Sequence, residues 1–198
     1  MIKEEIERVK ETLNKTFKIK DLCDLRYFLG FEVTRSKKGI MMNQRKYALE
    51  LLTDASLWTY KPVVTPMDNL DKFCSTENVS FTDVYVYRRW IGRLMYLTNT
   101  RPDITFFVHQ LSRFLDKLTI AHYNVANRIL KYIKGALSLG LFFSSNNSAH
   151  LKAFCDSDWG TCSDLRQSVT NFSVYLGNSL ISWKSKKAIN NIKEFLWS

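Results

Sequence analysis

The N-terminal part of the chain switches between a helical and a strand-like spacing of apolar positions. Apolar residues recur every three to four positions over residues 2–15, with charged residues between them, which predicts an amphipathic helix. The run at 26–34 is rich in aromatic and β-branched residues, and residues 40–42 are apolar. A turn with a glycine separates these two runs at 36–39, so we predict a β-hairpin.

Helical spacing dominates the centre of the chain. Residues 44–54 and 84–99 each carry apolar positions in register on one face, which predicts two helices. A proline suits the first turn of a further helix predicted over 102–115, because the missing amide proton is not needed there. The next helix is predicted over 121–134 and ends at Gly135.

The C-terminal part returns to the period of two that is typical of strands. Short strands are predicted at 140–143 and 151–155, and residues 172–183 predict a hairpin around a Gly-Asn turn. Residues 188–198 predict the start of another helix. Prolines, asparagines and hydroxyl residues are frequent over 59–82, which predicts a linker.

A mixed start, a helical centre and a strand-rich end predict an α+β fold made of small units. We expect these units to cover residues 1–58, 83–138 and 139–198. The predicted linker at 59–82 separates the first unit from the second.

Composition and charge narrow the class of protein. Of the 198 residues, 45% are hydrophobic, which is typical of a folded protein. No apolar run reaches the ~18 residues of a membrane span, and the charged N-terminus does not resemble a signal peptide. We therefore expect a cytoplasmic or nuclear protein that is not secreted. The four cysteines and three histidines match no zinc spacing, so we expect reduced thiols.

The net charge of +10 favours contact with a polyanion such as nucleic acid. The alternative is that the excess of basic residues is only a solvated surface, since many basic proteins bind no nucleic acid. Composition leaves both interpretations open.

Eight blocks of sequence carry a pattern that is more specific than composition. They are residues 20–33 (KDLCDLRYFLGFEV), 44–48 (QRKYA), 62–67 (PVVTPM), 87–98 (YRRWIGRLMYLT), 100–104 (TRPDI), 128–135 (RILKYIKG), 154–160 (FCDSDWG) and 180–187 (LISWKSKK). In this order they resemble copia-type retrotransposon Pol polyproteins, from the end of the reverse transcriptase into the ribonuclease H. Cys23, Arg26 and Asn171 depart from the family's pattern, and the resemblance ends after Lys187.

The resemblance implies a role for each predicted unit. Residues 1–58 would be the end of the reverse transcriptase palm with a primer-grip-like hairpin. Residues 83–138 would form thumb- or connection-like helices, and residues 139–198 a truncated ribonuclease H-like domain. The missing parts of the Pol polyprotein would then be partners of this chain.

Both activities of the parent family, RNA-directed DNA synthesis and RNA–DNA hybrid cleavage, use two Mg²⁺ ions held between carboxylates. The chain contains no Asp-Asp pair for a polymerase site. The resemblance places the first ribonuclease H carboxylate, a metal ligand, at Asp156, with Asp158 on the same side of the strand. Glu194 falls short of the position of the family's glutamate. We expect an inactive chain that binds no metal productively, in which Asp156 is either a strand-end residue bonding a turn or a weak metal ligand.

Nucleic-acid contact is the property that the resemblance leaves to this chain. The hairpin at 31–43 would grip the primer end, and the helices at 84–115 would lie along an RNA–DNA hybrid or duplex. The candidate phosphate contacts are Lys37, Lys38, Arg45, Lys46, Arg88, Arg89, Arg93 and Arg101, and the alternative for each is a solvated charge. Four aromatic residues could stack on bases but are more typical of core; they are Tyr27, Phe28, Trp90 and Phe107.

Three functional hypotheses follow from the sequence. The leading one is a fragment of a copia-type Pol polyprotein that is catalytically inactive alone. The first alternative is a non-catalytic nucleic-acid-binding module derived from a transposon. The second alternative is residual Mg²⁺-dependent cleavage centred on Asp156.

Overall fold

The computed structural model describes residues 2–20, 24–67, 83–116, 118–158 and 169–187, which form five α-helices, two short 3₁₀ helices and seven strands. The helices are α1 (Ile2–Phe17), α2 (Arg45–Asp54), α3 (Val84–Leu97), α4 (Thr105–Leu111) and α5 (Ile120–Gly135). The strands are β1 (Tyr27–Phe28), β2 (Phe31–Ser36), β3 (Gly39–Asn43), β4 (Gly140–Ser144), β5 (Leu151–Asp158), β6 (Val169–Leu176) and β7 (Ser179–Lys187). The predicted α+β class is confirmed. The helix predicted over 188–198 lies outside the described residues.

Helices α2 to α5 enclose the hydrophobic core. Asp83 caps the start of α3 by accepting a hydrogen bond from the amide of Val86. Thr119 caps α5 in the same way and accepts from the amide of His122. One continuous cluster of side chains is buried between the helices; it contains Ala48, Leu51, Leu52, Tyr87, Trp90, Ile91, Leu94, Leu97, Ile104, Val108, Leu111, Val125, Ala126, Ile129, Leu130 and Ile133.

The helix predicted over 102–115 is interrupted at both ends. A short 3₁₀ helix, Pro102–Ile104, leads into α4, and another, Ser112–Phe114, follows it. The proline stands in the first turn, as predicted.

The first sheet has the antiparallel order β1-β2-β3-β4. The predicted hairpin forms its centre, and β4 pairs with β3 so that Gly39 lies opposite Ser144. A Cβ atom on Gly140 would lie 2.3 Å from the carbonyl oxygen of Met42, so only glycine permits this close pairing. The strand predicted at 140–143, which we expected in the third unit, is β4 and extends the sheet of the first unit. The predicted boundary at residue 139 therefore separates two strands that pair with each other.

The second sheet is an antiparallel meander in the order β5-β6-β7. Gly177 turns the β6–β7 hairpin in the left-handed region, with a φ of 57°. The indole nitrogen of Trp183 donates a hydrogen bond to the carbonyl of Thr98, 3.1 Å away, at the end of α3. The meander is thereby joined to the helical core, and β7 also contacts α4.

Residues 57–65, which we name the strap, lie against α5. The amide of Val63 donates to the carbonyl of Lys131 at 3.4 Å, and the guanidinium of Arg128 donates to the Thr65 hydroxyl at 3.0 Å. The first part of the segment predicted as a linker is therefore fixed to a helix, which corrects that prediction. Residues 68–82 lie outside the described part of the chain.

Helix α1 keeps its apolar face in solvent. Ile6 is 49% exposed, Val9 50% and Leu13 41%. Its predicted amphipathic pattern is confirmed, but the described residues provide no surface that covers the apolar side. Within those residues, no helix combines the length and the apolarity that crossing a membrane requires.

Candidate nucleic-acid interface

The tip of the β2–β3 hairpin presents Lys37 and Lys38 to solvent on a braced turn. The hydroxyl of Ser36 accepts from the amide of Lys38 and donates to the carbonyl of Gly39, both at 3.2 Å. Ser145, just after β4, donates through its hydroxyl to the carbonyl of Lys37 at 2.8 Å and through its amide to that of Lys38 at 2.9 Å. The two lysines therefore stand on a backbone that is held from both sides.

Arg45 and Lys46 are exposed at the start of α2, next to the same sheet. Their amides donate to side chains of the sheet, Arg45 to Asn43 at 3.3 Å and Lys46 to Glu32 at 2.7 Å. The ammonium of Lys46 lies 5.3 Å from the centre of the Tyr27 ring, within the range of a cation–π contact. Lys37 and Lys38 at the tip of the β2–β3 hairpin, and Arg45 and Lys46 at its opposite end, are together named the hairpin surface.

The four aromatic candidates divide into two pairs. Trp90 is 4% exposed and belongs to the core, and Phe107 is half-buried against it. Tyr27 and Phe28 are 50% and 47% exposed on the edge strand of the first sheet. The expectation of core positions is therefore right for the first pair and wrong for the second, because β1 has a partner strand on one side only.

The arginines of α3 differ from one another. Arg88 donates twice to the carbonyl of Leu115 at 3.2 Å and pairs with Asp116 at 2.8 Å, so it joins α3 to the segment after α4. Arg93 pairs with Asp54, at the end of α2. Both guanidinium groups are therefore occupied in holding helices together. Arg89 is exposed and stays a candidate for phosphate contact.

Arg101 lies in the core, with 2% of its surface exposed. Its guanidinium forms two-pronged hydrogen bonds with Asp103 at 2.9 and 2.7 Å and donates to the carbonyl of Ala136 at 2.9 Å. It also lies 5.5 Å from the centre of the Tyr132 ring. The prediction that Arg101 contacts phosphate is wrong, because all of its donors face protein groups that compensate the cost of burying its charge.

Asp156 stands near the end of β5, opposite Asn171 of β6, and its side chain is exposed. It borders a cleft of about 420 Å³ between the meander and the start of α4. Asp103 lies on the far wall of this cleft, and Lys184 of β7 also lines it. Five aromatic residues also line it: Phe106, Phe154, Phe172, Tyr175 and Trp183.

The described residues do not fit the two-metal site that the family implies. No group of three or more His, Cys, Asp or Glu side chains in them could hold a metal ion. Asp158 is the last residue of β5, and its side chain and the whole of Glu194 lie outside the described part of the chain. A single exposed carboxylate cannot hold two hard cations, so no metal-dependent step can be derived from these residues.

Sequence reasoning missed the residues that brace the hairpin tip. Ser145 is 108 positions from Lys37 along the chain, and no local pattern links the two. Glu32, which orients the first turn of α2, was read only as a residue of a strand. Pairing of β4 with β3 is the signal that would have identified Ser145.

Comparison with known proteins identifies the family. Residues 2–69 match the model of a reverse transcriptase (RNA-dependent DNA polymerase) family. The chain is 37% identical over 175 residues to an uncharacterized mitochondrial protein of Arabidopsis thaliana, covering 88% of this chain and 72% of that protein. No solved structure matches.

Two further relatives from Arabidopsis thaliana are much longer than this chain. It is 40% identical over 177 residues to the retrovirus-related Pol polyprotein from transposon RE1, and 38% identical over 177 residues to that from transposon RE2. Each match covers 89% of this chain and 12% of the polyprotein. With these relatives and the eight ordered blocks, the chain belongs to the family of copia-type retrotransposon Pol polyproteins.

Proposed function

We propose that this chain binds an RNA–DNA hybrid or duplex through the hairpin surface and performs no catalysis by itself. The observation that carries the proposal is the braced pair of lysines at the hairpin tip, Lys37 and Lys38. Reverse transcriptases as a family act on nucleic acid and use divalent metals. Contact with nucleic acid is the function that a part of Pol can keep when its described residues hold no metal-binding cluster.

The units that the resemblance implies can be matched to the observed helices and sheets. We propose that α1, the first sheet and α2 correspond to the end of the palm, and that α3 to α5 correspond to the thumb or connection. We assign the β5–β6–β7 meander to the ribonuclease H-like part, because its first strand carries Asp156 near its end and Asp158 as its last residue. Strand β4 is counted with the first sheet.

The charge of the hairpin surface fits a phosphate backbone better than it fits a base sequence. Lysine and arginine ends bind phosphates as point charges or forks, and such contacts hold the protein on a duplex without reading bases. A fixed turn loses little conformational freedom when it binds. We therefore expect binding that is insensitive to sequence and sensitive to salt.

A direct test removes the two tip charges. The Lys37→Ala/Lys38→Ala variant should bind a labelled RNA–DNA hybrid about tenfold more weakly, and its slope of log affinity against log salt should fall by about two. Fluorescence anisotropy between about 50 and 200 mM salt measures both quantities.

The matched control is Lys15→Ala/Lys20→Ala, which removes the same charge from exposed positions at and just beyond the C-terminal end of α1. It should leave the salt slope unchanged. Equal losses in the two variants would show that only net charge matters and would refute the hairpin surface as the binding site.

The catalytic part of the proposal has its own test. A labelled hybrid incubated with Mg²⁺ should remain intact on a denaturing gel, because the described residues do not provide the carboxylates that two metals need. Cleavage that disappears in an Asp156→Asn variant would contradict the proposal and would support the residual-nuclease alternative. A full-length relative with the complete acidic set serves as the positive control.

We also propose that other parts of the Pol polyprotein are partners of this chain. The support is α1, whose apolar face has no cover among the described residues. An uncovered amphipathic helix is the kind of surface that a neighbouring unit of the same polyprotein would bury.

A further inference from the structure

Lys134, near the C-terminal end of α5, fixes the N-terminal end of the strap. The ammonium of Lys134 donates to the carbonyl of Tyr60 at 2.8 Å and to that of Leu57 at 3.4 Å, and it also bonds the carbonyl of Trp58. The contacts of Val63 and Thr65 with α5, described above, hold the other end. The backbone of the strap is therefore positioned along its whole length.

Two aromatic rings of the strap remain half in solvent although they are held in place. Trp58 is 45% exposed, and its indole nitrogen donates to the Thr53 hydroxyl at 3.0 Å. Tyr60 is 51% exposed, and the ammonium of Lys131 lies 4.5 Å from the centre of its ring. The Lys134 ammonium lies 6.0 Å from the centre of the Trp58 ring. The two rings are thus fixed, flanked by positive charge and accessible.

The segments that carry the rings and their neighbouring lysines contain no acidic residue, and the nearest one along the chain, Asp54, is paired with Arg93. Residues 55–67 contain no Asp or Glu, and none occurs between Asp116 and Asp156. The basic residues beside the rings include Lys61 of the strap and Lys131 of α5. Among the described residues, no carboxylate forms an ion pair with either lysine.

We propose that the strap and α5 form a binding surface for single-stranded nucleic acid. Unpaired bases stack on Trp58 and Tyr60, and the phosphates between them contact Lys61 and Lys131. Exposed rings interleaved with lysines suit unpaired bases, whose flat faces are free, whereas the bases of a duplex are already stacked on one another. This surface uses different residues from the hairpin surface and does not depend on the proposed binding of a hybrid.

The test is binding of a fluorescein-labelled single strand of fifteen thymidines to the whole chain, measured by anisotropy. Trp58→Ala/Tyr60→Ala should weaken binding by at least about tenfold, since each base–ring stack is lost. Trp58→Phe/Tyr60→Phe retains aromatic rings and should keep the affinity within about threefold. This second variant keeps the test decisive if the alanine variant does not fold, because aromatic replacements that fold and still lose binding would overturn the proposal.

The matched control is Tyr85→Ala, which removes a ring that is 75% exposed on α3, away from the strap. It should bind the single strand as the unaltered chain does, and equal losses in Tyr85→Ala and the strap variant would overturn the proposal. Displacement of the strand by polyglutamate at equal charge would also overturn it, by showing that the surface selects acidic polymers of any kind.

The two proposed surfaces fail independently. Lys37→Ala/Lys38→Ala should leave single-strand binding unchanged, and the strap variant should leave hybrid binding unchanged. Absence of single-strand binding with normal hybrid binding overturns the strap alone. Normal single-strand binding without hybrid binding supports the strap and refutes the hairpin surface.

Discussion

Buried and exposed cations in this protein have different partners, although the sequence made all of them candidates for phosphate contact. Arg101 stands in a block shared with the Pol family and is enclosed by Asp103, Ala136 and Tyr132. Lys37 and Lys38 stand in an ordinary turn, and only their backbones are bound. A basic residue in a family block can therefore be a structural tie, and the partners that its side chain already has distinguish it from a candidate contact with nucleic acid.

The largest expected effect comes from breaking the buried pair. Arg101→Ala leaves the Asp103 carboxylate without its main partner and the carbonyl of Ala136 without its donor, so we expect a loss of about 3 kcal/mol in the free energy of unfolding. Urea titration followed by circular dichroism measures this loss.

The contrast with the exposed cations provides the control. Lys37→Ala/Lys38→Ala should change the free energy of unfolding by less than about 0.5 kcal/mol, because these side chains make no buried contact. If Arg101→Ala were equally harmless, and reduced hybrid binding instead, the assignment of Arg101 to the core would fail.

A smaller effect on the free energy of unfolding is expected from His109, a histidine that the fold holds neutral. Burial lowers the pKa of His109 below its usual 6.5, and the positive charge of Lys184 lowers it further. The unfolded chain takes up this proton first, so the stability that His109 contributes is present above about pH 6.5 and decreases as the pH falls through the lowered value.

Replacement of this histidine isolates its share from that of the other titrating groups. The difference in unfolding free energy between pH 7 and pH 5 should be smaller in His109→Gln than in the unaltered chain, as measured by urea titration at each pH. An equal or larger difference in the variant would show that His109 is not held neutral. Such a result would remove the contrast between Arg101, whose buried charge is paired with Asp103, and His109, which the fold holds neutral.

Local pattern predicted most of the elements but not their long-range pairing. The periods of 3.6 and 2 located α1 to α5 and the two hairpins, because burial of one face imposes those periods on neighbouring residues. The partnership of β3 with β4 has no such signal, since it depends on a glycine at 140 that allows two backbones to approach closely.

The candidate site was predictable only in part for a similar reason. Charge and turn chemistry pointed to Lys37 and Lys38, which are exposed. The burial of Arg101 depends on Tyr132 and Ala136, which lie on another helix and beyond its end. The linker prediction over 59–82 rests on prolines, asparagines and hydroxyl residues, whereas contacts with Arg128, Lys131 and Lys134 fix residues of the strap. Contacts between segments that are distant along the chain bury Arg101 and fix the strap, and composition does not predict such contacts.

The late arrival of β4 has a consequence for synthesis on the ribosome. The hairpin is complete once residue 43 emerges, but the strand that covers its open side follows about a hundred residues later. At roughly 5–20 residues per second, a row of unpaired amide and carbonyl groups stays uncovered for several seconds. A nascent chain that stops between the two strands keeps that bare edge permanently, and bare strand edges recruit other chains into aggregates.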